Sequence, residues 1–327
     1  MSKVLVTGST GFVGSHLCRE LANNGYEVRA LIRSDKKKDV LSDVQVEFVH
    51  GDITDKESLL KAMDGVEAVF NIAAIFREAK YHDSMYYKVN MEGVRNVFDA
   101  AIEKGVSRVI HCSTGGVHSH IQNPPANEDE PYHPADIYQV SKCEGEKVAL
   151  KYLRSGKISG SVIRPAMIWG PGDRRILKLF KGVAHRTLPI IGDGKTLYHW
   201  VLVTDLARAF RLANETPAAN GQVYIIAGAQ VVSIVDTYEA IAKEAGVKVW
   251  PFKIPAKPIQ ILGSCVEKIC APFGIEPPIY RRRVDFFTKT RAFDCSKAQR
   301  ELGYKAEHTF QEEVHIIYSW YKEHGWL

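Results

Sequence analysis

Tyr138 and Lys142 stand four positions apart in Asp136-Ile137-Tyr138-Gln139-Val140-Ser141-Lys142, so on a helix they share one face, one turn apart. A phenol alone titrates near 10, too high for a base at neutral pH, but an adjacent ammonium favours the phenolate. Tyr138 could then take a proton from a substrate hydroxyl or give one to a carbonyl. Ser113 and Thr114, at the end of the predicted strand 106–111, offer a hydroxyl to hold the substrate oxygen.

A pair of this kind needs a redox partner, and the amino terminus supplies the place for one. Val4-Leu5-Val6 is a short apolar run of the kind buried on both faces of a parallel sheet. Thr7-Gly8-Ser9-Thr10-Gly11-Phe12-Val13-Gly14 breaks that strand and leads into a helix expected over 16–23. Glycines let a backbone approach a ligand closely, and a helix start presents unpaired N–H groups to an anion. Strand, glycine turn and helix in that order predict a dinucleotide pyrophosphate site, with the N–H groups of Phe12 and Val13 on phosphate. A bound nicotinamide would exchange hydride with the substrate while Tyr138 moves the proton.

The spacing Gly8-x-x-Gly11-x-x-Gly14 behind Thr7, followed by Tyr138-x-x-x-Lys142, resembles the extended branch of the short-chain dehydrogenase/reductase family. The resemblance implies a doubly wound Rossmann α/β fold with a smaller C-terminal substrate lobe: residues 1–172 and 199–228 bind NAD(P), and 173–198 and 229–327 form the second lobe. It also implies site residues. Asp52 and Ile53, after a third strand expected over 44–49, would contact adenine, although capping of the helix at Thr54-Asp55 is an alternative use of this acidic stretch. Ala73 and Ala74, ending a fourth strand over 68–74, would pass beneath the cofactor; Asn90 lies near the start of a helical segment over 86–101. Pro165 in Arg164-Pro165-Ala166-Met167-Ile168-Trp169-Gly170-Pro171-Gly172 would lie against the nicotinamide. Val201 to Ala207 resembles the family's strand-to-helix hinge, and Phe293 to Ala298 its C-terminal signature.

The cofactor depends on the end of the second strand, expected over 27–32. An acid there holds a ribose hydroxyl, and an arginine grips a 2′-phosphate. Arg33 favours NADP, while Asp35 two residues later keeps NAD possible. For substrate, Phe76, Arg77, Trp169, Tyr198, His199 and Arg283 are the candidates. The same catalytic parts serve a nucleotide-sugar epimerase or dehydratase, a ketone reductase, or an enzyme like dihydroflavonol reductase and 3β-hydroxysteroid dehydrogenase. Arg283, near the position of a diphosphate-binding arginine in sugar epimerases, tips the reading to a nucleotide sugar. Tyr198 in place of another such arginine, Pro165-Ala166 and Arg33 pull towards a reductase. A dinucleotide-sensing regulator is the non-catalytic alternative, but such proteins usually lose the tyrosine or the lysine.

The 327 residues carry a net charge of +5, with 45% hydrophobic and 25% charged residues, ordinary values for a water-soluble globular chain. The basic runs Lys36–Lys38 and Arg281–Arg283 lack interleaved aromatics, so nucleic acid is not expected as a partner. Six cysteines without a C-x-x-C pair predict reduced thiols in the cytoplasm, and neither they nor the histidines have metal-ligand spacing. No apolar run approaches membrane-spanning length and no signal peptide precedes the first strand. Relatives are often dimers through the helices bearing the Tyr-Lys pair, so a homodimer is expected.

Overall fold

Val4, Leu5 and Val6 are fully buried in β1 (Lys3–Thr7), an interior strand of a seven-stranded parallel sheet. The computed structural model describes residues 2–76, 81–259, 261, 266 and 281–327, without the side chains of 281–284. The strands in chain order are β2 (Glu27–Ile32), β3 (Glu47–His50), β4 (Ala68–Asn71), β5 (Arg108–Cys112), β6 (Ser159–Pro165), β7 (Met167–Trp169), β8 (Ile190–Ile191), β9 (Leu197–Leu202), β10 (Val223–Ile226), β11 (Val231–Ser233) and β12 (Lys253–Ile254). The main sheet runs β10-β6-β5-β4-β1-β2-β3. Chain order reverses between β1 and β4, and in open α/β sheets a crevice for ligands opens at the carboxyl ends of the strands at such a point.

Successive residues of β1 point to opposite faces. Val4 and Val6 enter one apolar core with Leu17 and Leu21 of α1 (Phe12–Asn23), and Leu5 enters the other, with Leu59 of α2 (Lys56–Ala62). The expected helix over 86–101 is broken into α3 (Asp83–Tyr87), a widened turn at Lys88–Glu92 and α4 (Gly93–Glu103). α4 and α5 (Ile137–Arg154) cover the second face, while α7 (Val203–Glu215) packs with α1 on the first.

The expected sixth strand through Gly172 is cut at Ala166. β6 stays in the main sheet, and β7 turns into a second sheet ordered β11-β9-β7. Around it forms a third core from α6 (Leu177–Ala184), α8 (Ile234–Glu244) and the last helix. Three helices follow the undescribed stretch: α9 (Arg281–Thr288), α10 (Ser296–Leu302) and α11 (Phe310–Glu323). The helix expected over 259–270 and the thiols of Cys265 and Cys270 lie outside the described residues. Among the described residues no helix is long and apolar enough to cross a membrane.

Candidate active site

At the carboxyl ends of β1 and β4, Gly8 takes φ +66°, and a Cβ there would lie 2.9 Å from the backbone of Ala73. Only glycine allows both. Gly11 N–H donates to the Gly8 carbonyl at 2.9 Å, and Gly11 caps α1 in an extended conformation with no side-chain cap. The helix therefore begins at Phe12, four residues earlier than its apolar pattern predicts. Its first intrahelical bond is Ser15 N–H to Gly11 O, leaving the N–H groups of Phe12, Val13 and Gly14 without a helical acceptor. The Thr7 hydroxyl fixes the floor: it donates to Asn71 Oδ1 at 2.9 Å and accepts from the N–H groups of Ile72 and Ala73. An anion cradle with no room for a Cβ fits the diphosphate of a dinucleotide.

The cleft above this turn has a volume of about 1050 Å³. Gly8, Thr10, Gly11, Phe12, Val13 and Gly14 line it, as do Arg33, Asp52, Ile53, Ala73, Ala74 and Pro165. Asp52 Oδ1 accepts from the N–H and hydroxyl of Thr54, while Asp55 caps α2. At the end of β2, Arg33, Ser34, Lys36 and Lys37 face the cleft; Asp35 instead pairs with Lys38 at 2.7 Å and His50 at 3.2 Å.

Asp136 caps α5 by accepting from Gln139 N–H at 2.9 Å, which starts the helix at the position that turns Tyr138 and Lys142 to the same cleft. Both are buried, and Lys142 Nζ donates to the Cys112 carbonyl at the end of β5 at 2.5 Å. Burial pulls the Lys142 pKa below its ordinary value, opposed by Cys112 and Glu146. The ring of Phe76 meets Tyr138 edge-on at 4.9 Å. Thr114 lines the cleft, and its oxygen accepts from Gly116 N–H at 3.0 Å, leaving its O–H available to a ligand.

Four expected site residues, Asn90, Trp169, Tyr198 and His199, are placed elsewhere, and the hydroxyl of a fifth, Ser113, is engaged within the protein. Ser113 lines the cleft, but its hydroxyl donates to Glu146, whose carboxylate is buried against Arg164 at 2.6 Å and Tyr132 at 2.7 Å, so Ser113 ties β5 to α5. Asn90 does not line the cleft; its amide exchanges hydrogen bonds with the backbone of Ile75 and donates to Ser141, so it braces α5. Trp169 and Tyr198 are fully buried in the third core, stacked on either side of Trp200. The ring nitrogens of His199, 5% exposed, lie against the carbonyls of Phe293 and Gly228. Trp169, Tyr198 and His199 point into packing because β7 and β9 belong to the second sheet. Arg77 lies outside the described residues, as does the Arg283 side chain. Of the expected substrate residues Phe76 lines the cleft, together with Met167, Ile168, Arg175, Ile176, Phe286, Lys289, Arg291 and Phe293. Met167, Ile168 and Phe293 lie in the stretches that carry the family resemblance, whereas Arg175, Ile176, Phe286, Lys289 and Arg291 come from loops and α9, where no sequence motif marks them.

This is the site of a dinucleotide-dependent short-chain dehydrogenase/reductase fold of the extended type. The chain belongs to the NAD dependent epimerase/dehydratase family, whose family model matches residues 4–227. Two 3beta-hydroxysteroid-dehydrogenase/decarboxylase isoforms of Arabidopsis thaliana are each 30% identical over 95% of this chain, which spans 60% of the length of one and 77% of the other. A 2-alkyl-3-oxoalkanoate reductase of Stenotrophomonas maltophilia is 27% identical, over 95% of this chain and 96% of its own. Among solved structures, a dTDP-glucose 4,6-dehydratase from Streptomyces venezuelae with NAD and TYD bound superposes with a TM-score of 0.79 at 26% identity, covering 99% of this chain and 98% of that one.

Proposed function

We propose that this chain is an NADP(H)-dependent oxidoreductase that interconverts a secondary alcohol and a ketone on a largely apolar substrate. The observation that carries the reading is the convergence of Thr114, Tyr138 and Lys142 on a cleft that is also lined by Phe76, Met167, Ile168, Ile176, Phe286 and Phe293. The larger cations of that lining bring their own carboxylates: Arg175 is held by Asp173, and Lys289 by Asp285, both at 2.8–2.9 Å. The net surplus of positive charge left there falls short of the two negative charges of a nucleotide-sugar diphosphate. The sequence lean to such a substrate rested on Arg283; the lining residues move the balance towards a reductase. The relatives named for hydroxysteroids and 3-oxoalkanoates support the same direction.

Residues of the glycine turn would hold the dinucleotide diphosphate, Asp52 and Ile53 the adenine, and Arg33 with Lys36 and Lys37 a 2′-phosphate. Bound there, the nicotinamide supplies or takes up the hydride. Thr114 donates to the substrate oxygen and fixes it beside Tyr138. Tyr138 protonates that oxygen during reduction, or accepts its proton during oxidation. Lys142, tethered to Cys112, keeps a positive charge one turn from the phenol and favours the phenolate.

A nucleotide-sugar epimerase or dehydratase is the second reading, favoured by the overall match to the dTDP-glucose dehydratase and by Arg291 in the same cleft. The two separate on assay of the purified chain. Consumption of NADPH with cyclic and medium-chain ketones supports the reductase. Interconversion of UDP- or dTDP-sugars on a copurified dinucleotide, with no net change in NAD(P)H, overturns it. The reading places the enzyme in the cytoplasm, in keeping with the buried free thiols of Cys18, Cys112, Cys143 and Cys295, and as a homodimer through α4 and α5.

A further inference from the structure

Besides Lys142, Arg175 is a cleft cation near the reacting groups, and it is held in place on several sides. Its Nε and NH2 donate to the two carboxylate oxygens of Asp173 at 2.9 and 2.8 Å, and NH2 also reaches the Ile168 carbonyl at 3.2 Å. Asp173 is 1% exposed, and its own backbone is pinned: its N–H donates to Gly170 O, and its carbonyl accepts the Tyr321 hydroxyl. The guanidinium lies over two rings, 5.1 Å from the centroid of Phe12 and 5.5 Å from that of Phe76. Phe76 in turn abuts Tyr138. Rings flanking a guanidinium leave its in-plane edge as the direction for hydrogen bonding. No protein acceptor among the described residues takes the two N–H groups of NH1, although the side chain is 40% exposed within the cleft.

The charges around the reacting end favour an anion on that edge. Lys142, Arg175, Lys289 and Arg291 face Asp136, Asp173 and Asp285, which leaves a surplus of one positive charge. The oxygen that reacts is already served by Thr114 and Tyr138, so a further donor pair beside them calls for a second polar group on the substrate. A planar two-oxygen acid matches a guanidinium edge better than a hydroxyl or a single carbonyl does. We infer that Arg175 binds a carboxylate carried on the carbon adjacent to the reacting one, making 3-hydroxy and 3-oxo acids the substrate class. The inference rests on the alcohol–ketone reading above. Burial works against the charge of Arg175; Asp173 and Tyr138 outweigh it and hold its pKa above the ordinary value.

The test compares acids with their methyl esters, which keep the apolar body and the reacting hydroxyl but lose the charge. The probes are 3-hydroxydecanoate and 2-hydroxycyclohexanecarboxylate, each with its methyl ester, oxidised with NADP at fixed pH. The wild-type enzyme prefers an acid over its ester by about tenfold or more in kcat/KM, mainly through KM, as loss of a charge-assisted hydrogen bond implies. Arg175→Gln brings that ratio near one; Arg175→Lys retains part of it. NADPH titration shows the variants folded, with a Kd within about twofold of wild type. Equal use of acid and ester by the wild type, or a ratio untouched by R175Q, overturns the inference while leaving the alcohol–ketone reading intact. A weakened NADPH Kd with an unchanged ratio assigns the edge to the cofactor's diphosphate and also overturns it. Binding of NADPH without oxidation of any secondary alcohol removes the underlying reading, and the inference with it.

Discussion

Arg33 and Asp35 stand two positions apart, yet only the arginine faces the cleft; the acid is spent on Lys38 and His50. A 2′-phosphate next to Arg33 gains a charge-assisted bond that a ribose hydroxyl lacks. Arg33→Ala is therefore expected to weaken NADPH roughly tenfold or more and NADH little, as read by fluorescence titration; equal losses for both would remove Arg33 from cofactor selection. Residues whose roles are local are legible from sequence in this way. Gly8 needs a left-handed turn, and Tyr138 and Lys142 share a face whatever surrounds their helix. Trp169, Tyr198 and His199 are not, because their direction depends on a second sheet formed from distant strands. Arg175 escaped notice for the same reason: its place is set by Asp173, Phe12 and Phe76, which a motif does not bring together.

At the scale of elements, α11 docks on β7 through a buried acid. Glu313 is 1% exposed, accepts from Trp169 Nε1 at 2.6 Å, and its other oxygen has no hydrogen-bond partner. Burial pushes its pKa up to about 8, despite the Trp169 bond. An unfolded chain releases this proton near the ordinary carboxylate value while the folded chain keeps it, so stability from this group is full at acid pH and falls as pH rises through about 8. Glu313→Gln keeps an acceptor for Trp169 and cannot ionise. In thermal melts its Tm relative to wild type is expected to rise by several degrees more at pH 9 than at pH 6; a gain independent of pH would show the carboxyl to be ionised or solvated. Boundaries were the less legible part of the elements. Gly11 starts α1 without a capping side chain to announce it, and β6 ends at Pro165 because the chain there leaves one sheet for another.

Across the whole molecule, the reversal of strand order between β1 and β4 brings the glycine turn, the end of β5 and the start of α5 to one crevice, which Phe286, packed on the third core, and Phe293, from a separate small core, also line. The Rossmann half was readable because each buried strand announces itself in the chain. Much of the substrate lining was not, being assembled from pieces separated by more than a hundred residues. If α4 and α5 form the subunit contact, light scattering will give twice the chain mass at micromolar concentration, and a persistent monomer would rule the dimer out. The central claim is that Tyr138 moves the proton beside a nicotinamide docked above the amino-terminal glycines. Tyr138→Phe tests it most directly, because it removes one oxygen and nothing else. NADPH should bind the variant within about twofold of wild type while turnover falls by a factor on the order of 10² to 10⁴. Retention of wild-type turnover by this variant would contradict the account.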